Sequence, residues 1–215
     1  MTPTIQDPVK SAVQVSVQPE FPLYALPRLW QWAEDSRHQV ADQFSPKTLD
    51  EFVNSWERQA VAGQRSWCVW VNGELGGAVW STRLSPVLAD SHCIFKRSFW
   101  GQGITREALR LVYAEIFAGG IEKIAIVCFV DSHALLGLVR KLGFEREGTL
   151  KKSTLRDGQL VDQAVIGLTK EAFEELFGEK RTEEPAEVAE NVLSTAQTLP
   201  TAAPVKEDRA VIVHR

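Results

Sequence analysis

The chain has 215 residues, 44% of them hydrophobic, enough to bury one good core with tails to spare. A formal net charge of −4 and a pI near 5.7 leave no electrostatic footprint for nucleic acid or an anionic membrane. With no 18-residue apolar run and no basic-then-apolar leader, the sequence predicts neither a membrane span nor a signal peptide.

Taken in chain order, residues 1–11 are polar and read as a flexible N-terminus. Ala12–Gln18 carries valines at 13, 15 and 17, the period of a strand. Leu26–Ala41 reads as a helix with Pro27 near its start, where a missing N–H is harmless. Thr48-Leu49-Asp50-Glu51 is a capping box that opens a helix to about Ala62. Trp67–Val71 and Glu74–Trp80 flank Asn72-Gly73, the strongest short-range hairpin signal. A strand then spans about Ser91–Arg97, before a helix (Thr105–Ala118), a strand (Lys123–Val130) and a helix (His133–Lys141). Arg156-Asp157-Gly158-Gln159 makes a second hairpin turn, Ala164–Leu168 a closing strand, and Thr169 caps a last helix, Lys170–Phe177. A strand-rich first half followed by alternating elements predicts one α/β domain over residues 12–178, a mixed sheet covered by helices.

After Gly178 the composition changes. Residues 179–204 contain no aromatic side chain and are dominated by Glu, Ala, Thr, Pro and Val, too little apolar surface to offset ordering. Residues 179–215 are therefore expected to form a disordered tail, with a short helix around Pro185–Leu193 as one option. The β-prone end, Ala210–Arg215, is either a frayed terminus or a peptide that docks on a sheet edge. Three cysteines (Cys68, Cys93, Cys128) without a Cys-x-x-Cys pair suit a reducing cytoplasm and argue against structural zinc.

The stretch Arg97-Ser98-Phe99-Trp100-Gly101-Gln102-Gly103-Ile104-Thr105-Arg106-Glu107 carries the functional information. A strand feeds two glycines, and a helix starts at once. Small residues there let the backbone approach a phosphate, and the new helix aims unpaired N–H groups and its positive dipole end at it. Gly-x-Gly alone is equally a packing turn. Downstream, Lys141-Leu142-Gly143-Phe144 precedes Glu147-Gly148. Together these motifs resemble the GNAT superfamily of acetyl-coenzyme A-dependent N-acetyltransferases. Leu155-Arg156-Asp157-Gly158-Gln159-Leu160-Val161-Asp162 and the closing strand look like the Rim-type branch, which acetylates N-termini of ribosomal proteins. The likeness is strong over 90–177 and weak over 12–89.

That resemblance implies a central, mostly antiparallel twisted sheet with a splayed parallel pair and helices on both faces. It implies acetyl-coenzyme A as co-substrate and an amine acceptor, in a monomer or homodimer whose tail can dock a partner. The pyrophosphate would take the amides of Gln102, Gly103, Ile104 and Thr105, with Arg106 as a nearby cation. The pantetheine arm would lie between strands at His92–Arg97, which includes Phe95 and Arg97, and Ala125–Val130. An N–H near Val127–Phe129 would polarise the thioester carbonyl. The substrate amine is the nucleophile, so no metal is required; a base and an acid help.

The chain departs from its family at several points. Ser98 stands where Arg or Gln is usual three residues before the first glycine. Ser132 and Leu135 occupy the Asn-x-x-Ser positions, and the usual tyrosine acid is missing: the only tyrosines are Tyr24 and Tyr113, and Tyr113 sits in the phosphate-end helix. Ser132 and Cys128 remain as acid candidates. His92 and Asp90 are the base candidates, histidine being the side chain whose chemistry best suits proton transfer at physiological pH. The alternatives are turn residues at Asp90-Ser91 and a strand-end cap at His92. His133 reads as an exposed first-turn residue, and Asp162 as either a contact for a cationic substrate or a solvated strand position. Glu145 and Glu147 read as rim charges, and Trp30 or Trp32 as lining of an acceptor wall.

Overall fold

The computed structural model describes residues 13–37, 42 and 45–178. The expectations for residues 1–11 and 179–215 lie outside that range. Elements follow in the order β1 (Val15–Pro19), a 3-10 turn (Leu23–Ala25), α1 (Leu26–Asp35), α2 (Leu49–Val61), β2 (Arg65–Val71), β3 (Glu74–Ser81), β4 (Leu88–Asp90) and β5 (His92–Phe95). Then come a 3-10 turn (Arg97–Phe99), α3 (Ile104–Ala118), β6 (Lys123–Phe129), α4 (His133–Arg140), β7 (Glu145–Arg156), β8 (Gln159–Thr169) and α5 (Lys170–Phe177).

Local chemistry explains most boundaries. Thr48 Oγ1 accepts the Glu51 N–H at 3.2 Å, and the Glu51 carboxylate reaches back to the Lys47 N–H at 2.7 Å. Thr169 caps α5 in the same way through the Ala172 N–H. Asn72 and Gly73 both take positive φ, as do Asp157 and Gly158, the requirement of a two-residue hairpin turn that matches strand twist. Helix α1 stops at Asp35, short of the predicted end; residues 38–41 lie outside the described range.

The strands form two four-stranded sheets, ordered β1-β2-β3-β5 and β4-β6-β8-β7. All described pairings are antiparallel except β4 with β6. The single strand expected over Ser91–Arg97 is thus divided. Its approach, β4, belongs to the second sheet, its continuation, β5, to the first, and Ser91 is the joint. Helices α1 and α2 bury Leu26, Leu29, Trp32, Phe52 and Trp56 against Cys68, Leu75 and Ala78 on one face of the first sheet. On the other face, α3 buries Ala108, Leu109, Val112 and Ile116 in a core shared with β6, β8, α4 and α5. Helices on both faces and a lone parallel pair are the architecture the sequence predicted.

Candidate active site

The turn after β5 is anchored from behind. Lys96 N–H donates to the Gly76 carbonyl at 2.9 Å, and the Phe99 ring fills the space a Cβ on Gly76 would need, 2.8 Å away. The Phe95 ring similarly occupies the space beside Gly77. Trp100 Nε1 donates to the Phe95 carbonyl at 3.3 Å, and Gln102 Nε2 to that of Ser98 at 2.5 Å, closing the loop on itself. Gly101 and Gly103 sit at φ 75° and 82°, conformations a side chain disfavours, and a Cβ on either would meet only open space. The first bond of α3 runs from the Glu107 N–H to the Gly103 carbonyl. The amides of Ile104, Thr105 and Arg106 therefore have no intrahelical acceptor and point out of the helix start. Exposed glycines, outward amides and the positive end of a 15-residue helix fit a pyrophosphate. Arg97 is exposed in the preceding turn, whereas the Arg106 guanidinium lies over the Phe177 ring at 5.4 Å, engaged with α5.

Beside this cradle the two sheets part. The β4–β6 pairing runs Leu88↔Lys123, Ala89↔Ile124, Asp90↔Ala125, and ends. Thereafter His92–Phe95 stays with β3, and β6 stays with β8 as far as Phe129↔Gln163. The facing edges of β5 and of Ile126–Phe129 have no ladder between them. Carrying the register forward sets Ser91 opposite Ile126, His92 opposite Val127, and Cys93 opposite Cys128. Since alternate residues of a strand turn their N–H and C=O to opposite sides, each edge offers unpaired backbone groups to the gap. Val127, in a central strand, is 48% exposed for this reason. Phe95 and Phe129 have buried side chains; the Phe129 ring lies under the Arg156 guanidinium at 4.5 Å.

His92 faces the α1–α2 side. Its ring stacks on Trp80, its cross-strand partner, with centroids 5.5 Å apart and planes 13° apart, and Trp80 in turn meets Trp56. His92 Nε2 is 3.4 Å from Asp90 Oδ2. Asp90 Oδ1 accepts the Thr82 N–H at 2.5 Å, while its main chain bonds Thr82 O and Ser81 Oγ. Asp90 is therefore the last residue of β4 and not a turn residue, with its carboxylate shared between the Thr82 N–H and His92. Ser132 sits at the start of α4 and its hydroxyl makes no capping bond; Leu135 packs into the core. Just before it, Asp131 takes both guanidinium nitrogens of Arg156, at 2.9 and 2.6 Å, which holds its carboxyl below the usual carboxylate range. His133 is exposed.

Several expectations are corrected. Asp162 is neither free for a cationic substrate nor merely solvated: it accepts from Lys151 Nζ and the Lys152 N–H, both at 2.8 Å, pinning a bulge in β7. Glu147 pairs with the half-exposed Lys123 at 2.5 Å, in keeping with its reading as a rim charge. Trp32 is buried in the α1 core, leaving Trp30, which packs on Phe52 with Arg37 above it, as the more open of the two. Burial raises the Cys128 thiol, which opposes its use as an acid near neutral pH. Tyr113 lies in the phosphate-end helix as read, but its hydroxyl emerges elsewhere, 3.2 Å from Ser91 Oγ at the joint between the sheets. The sequence offered one signal for this, the three helical turns between Gly103 and Tyr113.

The model of the acetyltransferase (GNAT) domain matches residues 19–145, including the first half of the chain, where the sequence resemblance was weak. No curated protein matches by sequence. Among solved structures, a ribosomal L7/L12 alpha-N-protein acetyltransferase in complex with coenzyme A is 20% identical, with a TM-score of 0.62 over 77% of this chain and 98% of that one. The ribosomal-protein-alanine N-acetyltransferase of Brucella melitensis is 17% identical at a TM-score of 0.61, over 72% of this chain and 99% of that one. A spermidine N-acetyltransferase chimera from Vibrio cholerae and hSSAT is 16% identical at a TM-score of 0.64, over 74% of this chain and 98% of that one. At these identities the neighbours speak for the fold, and the domain model for the family. With its glycine cradle at the start of α3 and its parted strands, this chain belongs to the GNAT family of N-acetyltransferases, whose co-substrate is acetyl-coenzyme A.

Proposed function

We propose that this enzyme acetylates a primary amine presented from the α1–α2 side of the gap, and that the favoured acceptor is a protein N-terminus, in the cytoplasm. The observation that carries the reading is the placement of His92. It opens β5, two residues after the β4–β6 ladder ends at Asp90, opposite Val127 and on the face away from α3 and its phosphate cradle. Donor and acceptor can then approach the same point from opposite faces of the sheet. The amides at the α3 start hold the pyrophosphate, the unpaired edges of β5 and β6 hold the pantetheine arm, and a β6 amide polarises the thioester carbonyl. His92 takes the ammonium proton, directly or through a water, and Asp90, itself fixed by the Thr82 N–H, orients the imidazole.

The preference for a protein N-terminus rests on the Arg156–Asp162 hairpin and its likeness to the Rim-type branch. The spermidine acetyltransferase neighbour supports a second reading, a polyamine or other small amine. Coenzyme A release measured over N-terminal peptides, polyamines and aminoglycosides separates them. Turnover on peptides with alanine, serine or methionine at the first position supports the favoured acceptor. Turnover on polyamines alone overturns it, and cofactor binding without turnover on any amine points to a binding module.

A further inference from the structure

We propose that Ser91, backed by Tyr113, is the hydrogen-bond donor that stabilises the departing sulfur in this enzyme. The inference rests on the acetyl-transfer reading above, and it fills the role left empty by the missing family tyrosine. Ser91 is the joint at which β4 ends and β5 begins, and it stands opposite Ile126 where the ladder stops. Its side chain is 3% exposed, and its Oγ lies 3.2 Å from the Tyr113 hydroxyl, itself buried. Two hydroxyls in contact away from water are a costly arrangement unless both are used. In the structure Ser91 Oγ donates to the Tyr113 hydroxyl; each group has one proton and can rotate it, so when a bound sulfur draws the Ser91 proton toward the gap, Tyr113 can donate to Ser91 Oγ instead.

The distances along the chain agree. Tyr113 is ten residues beyond Gly103 in α3, roughly 15 Å at the helical rise. That span is comparable to an extended pantetheine arm, so a ligand whose pyrophosphate sits on the α3 start brings its sulfur to the depth of the joint. The groups that face the Tyr113 hydroxyl are Ser91 from the β4–β5 joint and the Cys93 thiol from β5, with the Phe144 ring packed edge-on beside it. Cys93 is neutral near pH 7 because burial pushes its thiol up to about 12. In the step itself the amine nitrogen bonds to the carbonyl carbon, the carbon–sulfur bond breaks, and the electron pair moves to sulfur. Ser91 O–H hydrogen-bonds to that sulfur and keeps its proton; one amine proton has gone to His92 or water before attack, the second leaves to water as the amide forms, and the thiolate takes a proton from water as product leaves.

The test compares Tyr113→Phe, Ser91→Ala, the double variant and Ser91→Thr with the wild type in coenzyme A release from acetyl-coenzyme A and the best amine acceptor. Tyr113→Phe keeps the ring contact with Phe144, so its fold serves as the safeguard if Ser91 variants are unstable. Both single variants are expected to lower kcat between roughly tenfold and a hundredfold. KM for acetyl-coenzyme A should stay within about twofold, and the double variant should be no worse than the poorer single one. Ser91→Thr, which keeps the hydroxyl, should recover most of the rate. Single variants within about threefold of wild type in kcat, or losses confined to KM, overturn the proposal while leaving the acetyltransferase reading intact. A wild type that releases no coenzyme A with any amine overturns that reading, and this proposal with it.

Discussion

At the scale of single residues, the His92–Asp90 pair gives the sharpest prediction. His92→Ala should lower kcat/KM by roughly a hundredfold, the usual worth of a positioned base, and abolish the acidic limb of the pH–rate profile. Asp90→Asn keeps an oxygen for the Thr82 N–H and removes only the charge beside His92, so its loss should be smaller than that of His92→Ala. If neither variant changes kcat/KM by more than about threefold, bulk water takes the proton and the site works by proximity and the β6 amides alone. Gly103→Ala should weaken acetyl-coenzyme A binding about tenfold by calorimetry. Its methyl group meets no protein atom, so the harm comes from a left-handed backbone, worth roughly 1–2 kcal/mol, and from blocking the ligand's approach. The glycine turn ahead of α3 was legible because Gly101, Gly103 and the helix start are neighbours in sequence. The Asp90–Thr82 bond and the Ser91–Tyr113 contact were not, since each joins residues brought together only by the folded sheet.

Elements whose boundaries are set by neighbours in sequence came out of the sequence cleanly. Helix α2 has its capping box, α5 its threonine, and both hairpins their positive-φ pairs, all decided within four residues. The β4–β5 break and the β7 bulge stayed hidden for the opposite reason. Only the turn alternative at Asp90-Ser91 hinted at a joint; the division itself arises because β4 pairs with β6 while β5 pairs with β3. In β7, Lys151, Lys152 and Ser153 face the single residue Asp162, an irregularity held by bonds from the neighbouring strand. Two stability predictions belong at this scale. Thr48→Ala removes the α2 cap and should cost about 1 kcal/mol by urea unfolding. Gly77→Ala should cost about 1–3 kcal/mol, because its Cβ would lie 2.6 Å from the Phe95 ring and 2.7 Å from the Ile94 carbonyl, and the latter cannot turn aside.

For the whole molecule, stability should depend on alkaline pH. Burial raises the Cys68 thiol from an ordinary 9.0 to about 11 and Cys93 to about 12, and it raises Tyr113 as well. A folded-state pKa above the unfolded one means the native chain holds its proton longer. The stability these groups contribute is complete below pH 9.0, and for Cys93 it is lost as pH climbs to about 12. Urea midpoints should therefore fall steadily above that lower bound, and less steeply in Cys93→Ala. A chain ended after Gly178, whose N–H closes α5 on Glu174, should keep its Tm within about 5 °C, since the residues beyond carry little apolar surface. A larger fall in a thermal melt would show the tail to be part of the core.

The gap between β5 and β6 exists because a ladder is missing, and its donors and acceptors are peptide groups. Every amino acid but proline supplies the same N–H, so at the exposed Val127 this slot is nearly indifferent to the side chain, whereas Ile126, Cys128 and Phe129 also pack inside the protein. Lineages could rewrite Val127 many times and still hand down a working slot. That indifference suits a fold shared with neighbours only 16–20% identical to this chain. In a saturation scan scored for coenzyme A binding, proline should be the one replacement in Ile126–Phe129 that is uniformly forbidden, whereas Gly101 and Gly103 should tolerate almost nothing.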